Sequence, residues 1–239
     1  MTIRTSNDGR PLAFAVDYDR TLTGPSLEPD ADALRAIAEL RAAGIRCFLL
    51  TGRSMADLAV HPAIAAAFDG YCLEGGAQWG PWGNLLGPSN ANVALEAATR
   101  LEAEGIPVQR RVASFGCARA DWEAVQRLAS NCSIQLNHDR IDVLPPGLDK
   151  AIGLDAVLGA QGMRNAHVIA LGDGENDLPM LRGAEVGLAT ANAVPALKAV
   201  ADEVLQGEGP AAVVEAAQRL LKGDWRAVGR DPPTGPIGA

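Results

Sequence analysis

The chain has 239 residues, 48% of them hydrophobic and only 4% aromatic, enough to build a sizeable core from Ala, Leu, Val and Gly without disulfide or metal staples. Its formal net charge of −8 argues against nucleic acid as a partner, because a globally acidic surface repels a polyanion. Small anionic ligands stay open, since a local cationic pocket can outweigh the mean field. The four cysteines, Cys47, Cys72, Cys117 and Cys132, are widely spaced and read as reduced thiols. The first twelve residues, MTIRTSNDGRPL, carry no apolar signal core, and no apolar run approaches the roughly 20 residues needed to cross a bilayer. The expected location is the cytoplasm, without membrane partners. Oligomeric state is not legible.

Residues 12–16 (LAFAV) form a short continuous apolar run, the signature of a strand buried on both faces. Pro29 and Asp30 open a helix whose Leu34, Ile37 and Leu40 share a face, and Gly44 closes it. A second strand at 45–50 (IRCFLL) stops at Thr51-Gly52-Arg53, followed by a helix from Ser54 and a strand at 71–73. The pattern resumes with a helix at 149–158 and a strand at 167–171 (HVIAL) ending in GDGEND. Helices at 178–182, 195–200 and 210–221 then alternate with short strands at 186–188 and 203–205. Such alternation predicts an α/β, Rossmann-like parallel sheet with helices on both faces.

The middle of the chain breaks the pattern. A Gly/Pro-rich hairpin (WGPWGNLLG) leads to a helix at 92–104, a strand at 108–115, a helix at 122–130 and strands at 133–137 and 140–144 joined by a turn at 137–140. The expected organisation is a discontinuous core of residues 1–77 and 147–224, an inserted smaller α+β domain at 78–146, and a disordered Pro/Gly-rich tail at 225–239.

Ligands of open parallel sheets bind beyond the carboxyl ends of the strands. Polar clusters follow three predicted strands: Asp17-Tyr18-Asp19-Arg20-Thr21, Thr51-Gly52-Arg53, and Gly172-Asp173-Gly174-Glu175-Asn176-Asp177, with Lys150 at the start of a helix. Acidic groups gathered at two strand ends repel one another unless a cation sits among them, and hard carboxylate oxygens suit Mg²⁺.

DYDRTLT, TGR, the later Lys150 and GDGEND, in that order, resemble the four motifs of the haloacid dehalogenase-like phosphatases. The insert between the second and third motifs resembles the Cof-type branch with an α+β cap, which includes archaeal phosphoglycolate, mannosyl-phosphoglycerate and sucrose phosphatases. Gly75-Gly76-Ala77 is similar to the Asn-Gly-Ala turn leading into such caps, with Gly75 in place of Asn. The resemblance covers residues 12–221. It implies a Mg²⁺-dependent phosphatase acting on a small phosphorylated metabolite, phosphoglycolate or a sugar or sugar-acid phosphate, through an aspartyl-phosphate.

By the same resemblance Asp17 would be the nucleophile. Asp19, brought to the same side by an extended segment, would be the acid/base and offer its carbonyl to Mg²⁺. Thr51, Gly52, Arg53, Lys150 and Asn176 would bind or orient the phosphate, and Asp173 and Asp177 would complete the metal site. Arg20 stands where many relatives carry Gly, implying a backbone there that needs no glycine; Ala151 replaces the usual Gly after the Lys. Arg110 and Arg111 on one predicted strand, Arg119 and His138–Arg140 are candidate substrate contacts in the cap. Trp79 and Trp82 are expected to pack at the junction between core and cap. The alternatives are a phosphomutase of the same fold and a non-catalytic regulatory domain, the latter opposed by the presence of both Asp17 and Asp19. A dinucleotide site is a poor fit because the first strand leads into Asp-Tyr-Asp and not a Gly-rich loop.

Overall fold

The computed structural model of the protein describes residues 3–224; the tail expected to be disordered, 225–239, lies outside the described residues. In chain order the strands are β1 (Leu12–Asp17), β2 (Arg46–Leu50), β3 (Gly70–Leu73), β4 (Gln78–Gly80), β5 (Gln109–Arg110), β6 (Phe115–Ala118), β7 (Ser133–Asn137), β8 (Arg140–Leu144), β9 (His167–Gly172), β10 (Val186–Ala189) and β11 (Glu203–Val204). They form a seven-stranded sheet of order β11-β10-β9-β1-β2-β3-β4 and a four-stranded sheet of order β5-β6-β8-β7. The large sheet is parallel except for its edge strand β4, which runs antiparallel to β3.

The apolar run in β1 is buried at every position because both faces of the sheet are covered. Leu12, Phe14 and Val16 pack on one face with the helices Ala31–Ala42 and Pro210–Lys222. Ala13 and Ala15 pack on the other face with the helices Lys150–Ala160 and Leu178–Gly183. Each fully buried large side chain, such as Phe14, contributes about 1.5–3 kcal/mol. Local chemistry sets the helix starts. The Asp30 carboxylate accepts hydrogen bonds from the amides of Asp32 and Ala33, both 2.9 Å, while Asp149 accepts one from the Ile152 amide. The latter cap starts its helix at Lys150 despite Ala151.

The four-stranded sheet has two unlike faces, set by the period of two along its strands. Ile134, Leu136, Phe115, Cys117, Ile141 and Val143 join a small core with the helices Asn92–Ala103 and Trp122–Leu128. The opposite face is polar: Gln109 pairs with Gly116, Gly116 with Asp142 and Asp142 with Gln135 in one row.

The strand expected at 108–115 is instead two strands. β5 ends at Arg110 and the chain reverses into β6, so Arg111 lies in the turn and not beside Arg110 in one strand. Glu74 is the cause that the sequence pattern does not show. Fully buried, its carboxylate accepts from the amides of Val112 (3.1 Å) and Ala113 (2.9 Å) and from the Ser114 hydroxyl (2.9 Å). These bonds satisfy donors that a continuous strand would have paired in a ladder.

Glu74 itself has φ 52, followed by Gly75 at φ 68 and Gly76 at φ 115. A Cβ on Gly76 would stand 2.1 Å from the Asp149 carbonyl oxygen, so the two connections between the sheets pass backbone against backbone. Trp82 packs edge-on to Tyr71 at 5.1 Å and Trp79 packs against the large core, which puts both tryptophans in structural contacts. All four cysteines are free. Among the described residues no helix is long and apolar enough to cross a membrane.

Candidate active site

The carboxyl ends of β1 and β9 are adjacent because the two strands pair directly, which brings Asp17 beside the turn that follows Gly172. Lys150, at the first position of its helix, reaches into the same place with no exposed surface. Its ammonium donates to Asp17 Oδ1 and to Asp177 Oδ1, both at 2.5 Å. The other Asp177 oxygen accepts from the amides of Asp173 and Gly174 at 3.0 Å each, locking the GDGEND turn. Asp173 Oδ1 accepts from the Thr21 hydroxyl at 3.2 Å. Single carboxylate oxygens of Asp17, Asp173 and Asp177 lie within 4.8 Å of one another, all three residues buried.

Three buried carboxylates against one ammonium leave a shortage of positive charge. Burial pushes the Asp17 carboxyl well above its ordinary value, and the neighbouring Asp177 adds to the shift against the opposing pull of Lys150. Asp173 is pushed up to about 7 by burial and then by Asp177. Burial disfavours the Lys150 charge, but Asp17 and Asp177 outweigh it and hold the ammonium protonated. A divalent cation bound by these oxygens would supply the missing charge, and an all-oxygen donor set suits Mg²⁺. The residues present therefore fit the metal that the sequence motifs imply.

Asp19 does not join this cluster. Residues 18–22 form a tight turn after Asp17 in which Asp19 keeps φ −70 and ψ 126, and its charge still adds to the upward shift of the Asp17 carboxyl. The Asp19 carboxylate is held by Arg53, with Nη2 at 2.7 Å and Nε at 3.0 and 3.1 Å, and the guanidinium also lies 5.0 Å over the Tyr18 ring. Thr51 is fully buried and its hydroxyl accepts from the Arg53 amide at 3.1 Å, leaving the hydroxyl proton to donate. Arg20, expected to avoid a glycine-like backbone, has φ 60 and ψ 4, the left-handed region. Its amide donates to the Thr23 hydroxyl at 2.9 Å and its carbonyl accepts from the Asn192 side chain at 3.1 Å, contacts that hold the turn in place of glycine.

The β7–β8 turn closes over the site. His138, itself at φ 53, stands 3.3 Å from Asp173 through Nε2 and 3.1 Å from Arg20 through Nδ1. Glu175 accepts from the His138 amide at 3.1 Å and from Arg119 at 3.2 Å. Asn176 is buried in the same turn. Between the two sheets a cleft of about 310 Å³ is lined by Asp19, Gly52 and Arg53 on one side and by residues of β5 and β8 and their turns on the other. Of the candidate cap residues, Arg111, His138, Asp139 and Arg140 line it, whereas Arg110 turns to Glu102 (2.6 Å) on the outer surface. Thr21, Glu74, Glu175 and Asn192 were given no role from sequence. Thr21 and Glu175 stand inside quoted motifs, while nothing in the local pattern marks Glu74 or Asn192.

The chain is similar to known proteins over most of its length. A family model described as haloacid dehalogenase-like hydrolase matches residues 121–216. The chain is 26% identical over 219 residues to a phosphoglycolate phosphatase of Methanothermobacter thermautotrophicus, covering 87% of this chain and 98% of that one. A shorter match, 36% over 92 residues, covers 38% of this chain and spans 39% of the length of phosphoglycolate phosphatase 2 of Saccharolobus solfataricus. Among solved structures, a HAD subclass IIB sugar phosphatase superposes with a TM-score of 0.68 at 21% identity, over 88% of this chain and 98% of that one. A HAD-superfamily phosphatase from Bacteroides thetaiotaomicron superposes with a TM-score of 0.72 at 20% identity, over 91% and 96% of the two chains.

Proposed function

We propose that the chain is a haloacid dehalogenase-like phosphatase, a phosphoric monoester hydrolase, and that it hydrolyses a small phosphorylated metabolite through a phosphoaspartate on Asp17. The observation that carries this reading is the convergence of Asp17, Lys150, Asp173 and Asp177 in one buried cluster at the ends of β1 and β9. Phosphoglycolate is the favoured substrate, on the names of the archaeal relatives and the small volume of the cleft.

Asp17 attacks phosphorus, forming its O–P bond as the ester oxygen departs. Lys150 balances the carboxylate before attack and the phosphoryl oxygens after it. Asp17, Asp173, Asp177 and the Asp19 carbonyl would hold Mg²⁺, which supplies charge neutralisation of the phosphate when bound. Asp19 exchanges Arg53 for the leaving oxygen, gives it the proton it took up from the hydrolytic water of the preceding turnover, and is reprotonated by the water that attacks the phosphoaspartate. Inorganic phosphate and free Asp17 result. The Thr51 hydroxyl and the Gly52 amide hydrogen-bond the phosphoryl oxygens, and Asn176 orients them. Residues 78–146 serve as the cap, excluding water when the cleft closes.

The test is phosphate release from a panel of phosphorylated hydroxy acids, sugars and an aryl phosphate, with Mg²⁺ and with EDTA. Wild type should release phosphate only with Mg²⁺, and Asp17→Asn should lose on the order of 10³-fold or more. Turnover that persists in Asp17→Asn, or is indifferent to EDTA, would sink the mechanism.

A further inference from the structure

The cleft contains a cationic pair that the phosphate chemistry does not use. Arg140 and Asp142 share the polar face of β8, two residues apart, and Gly116 pairs directly with Asp142. A Cβ on Gly116 would stand 2.8 Å from Arg140 Nη2 and 3.2 Å from Arg111 Nη2. The two guanidinium groups therefore converge over a position kept bare of any side chain, and only glycine leaves room for them.

Their compensation is unequal. Arg111 is buried and its Nη1 donates to Asp142 Oδ1 at 2.8 Å, a closed ion pair. Arg140 is held by the neutral Gln109 side chain, whose Oε1 accepts from Nη2 at 2.8 Å, and no carboxylate among the described residues pairs with it. The other cleft arginines are engaged elsewhere, Arg53 with Asp19 and Arg20 with His138. Arg140 is thus the guanidinium at the sheet end of the cleft that a neutral side chain holds, in a lining that also carries Asp57, Asp139 and Asp142. Asp142 Oδ2 lies 3.0 Å from where a Gly52 Cβ would stand, so the Arg111–Asp142 pair beside Arg140 abuts the Thr51-Gly52-Arg53 loop through its carboxylate.

We propose that Arg140, oriented by Gln109 and backed by the Arg111–Asp142 pair, is the specificity-determining residue, binding a single carboxylate on the substrate's non-phosphate end. One uncompensated guanidinium matches a monoanion better than a second phosphate, and its planar fork suits a carboxylate's two oxygens. Close approach of two like-charged guanidinium groups favours an anion over a sugar hydroxyl at the same place. This assignment rests on the phosphatase reading for its place in the reaction but not for its test.

The test measures binding by calorimetry, with phosphonoacetate and phosphonopropionate against ethylphosphonate and propylphosphonate, which lack the carboxylate. Wild type should favour the carboxylate compounds by about tenfold or more, the difference expected of a charge-assisted hydrogen-bonded pair. Arg140→Gln should collapse that ratio towards one, and Arg110→Gln, on the outer surface, should leave it as in wild type. Equal binding of both series by wild type, or an undiminished ratio in Arg140→Gln, would overturn the proposal. Tighter binding of a bisphosphonate than of the phosphonocarboxylate would overturn the choice of a carboxylate. Aryl phosphate turnover, run alongside, separates the two readings: its absence counts against phosphatase chemistry, whereas its presence with equal binding counts against Arg140 alone.

Discussion

Two charged clusters face each other across the cleft, and they are built on opposite terms. At the ends of β1 and β9, three buried carboxylates surround one ammonium, so the site is short of positive charge and deep. On the polar face of the small sheet, Arg111 is paired with Asp142 while Arg140 rests on the neutral Gln109, so a guanidinium without an ion-pair partner opens to the cleft. The first arrangement suits a metal and a phosphoryl group; the second suits an anion carried by the same small molecule. The proposed chemistry and the proposed selection would thus reside on different sheets, joined by the two connections at Glu74–Gly76 and Asp149.

The largest test of this contrast is to remove the one cation of the deep cluster. Lys150→Met leaves Asp17 and Asp177 buried without their shared partner and should cost about 3–5 kcal/mol of stability near neutral pH, read by urea unfolding. The loss should shrink towards pH 5, where a buried carboxyl can take up a proton, and with added Mg²⁺. A loss below about 1 kcal/mol would mean the cluster is not electrostatically strained.

Asp142→Asn should cost less, about 1–3 kcal/mol, because Arg111 keeps a hydrogen-bond acceptor while losing the opposing charge. It also raises the excess charge of the cleft, so phosphonocarboxylate binding should hold or tighten even as stability falls. Weakened binding would show that Asp142 positions Arg111 for the ligand, blurring the contrast between the two clusters.

The most gradual effect is a slope with pH. A carboxyl whose folded pKa is raised binds a proton in the native state that the unfolded chain has released. For Asp173, between its ordinary 3.8 and about 7, stability of the metal-free protein should therefore fall as pH rises and level off above 7. The slope from this one group is at most about 1.4 kcal/mol per pH unit. Asp173→Asn, or Mg²⁺ in excess, should flatten that part of the curve measured by thermal melts in EDTA. An unchanged slope in Asp173→Asn would assign the pH dependence to other groups.

Much of the deep cluster was legible because it depends on local register. Asp17 ends an apolar run, Asp173 follows another, and parallel pairing of those two strands brings both to one edge. Asp30 and Asp149 mark their helix starts, and Gly44 its helix end, by interactions spanning a few residues. Arg20 shows where local reasoning stops. Its left-handed backbone is held by Thr23 and by Asn192, the latter 172 positions away along the chain.

By itself, the sequence determined the strand-helix alternation, the polar clusters at the strand ends and the break in the alternation in mid-chain, because apolar period and turn chemistry act over neighbours. Tertiary structure decided the rest. The buried Glu74 splits a strand some forty residues later by offering its amides a better acceptor than a ladder. Alternation in β8 separates Arg140 and Asp142 from Ile141 and Val143, yet only packing of the apolar face under two helices turns the polar face to the cleft. Which of several arginines keeps an uncompensated charge depends on partners from three strands and the turn joining two of them, information that no single stretch of sequence contains.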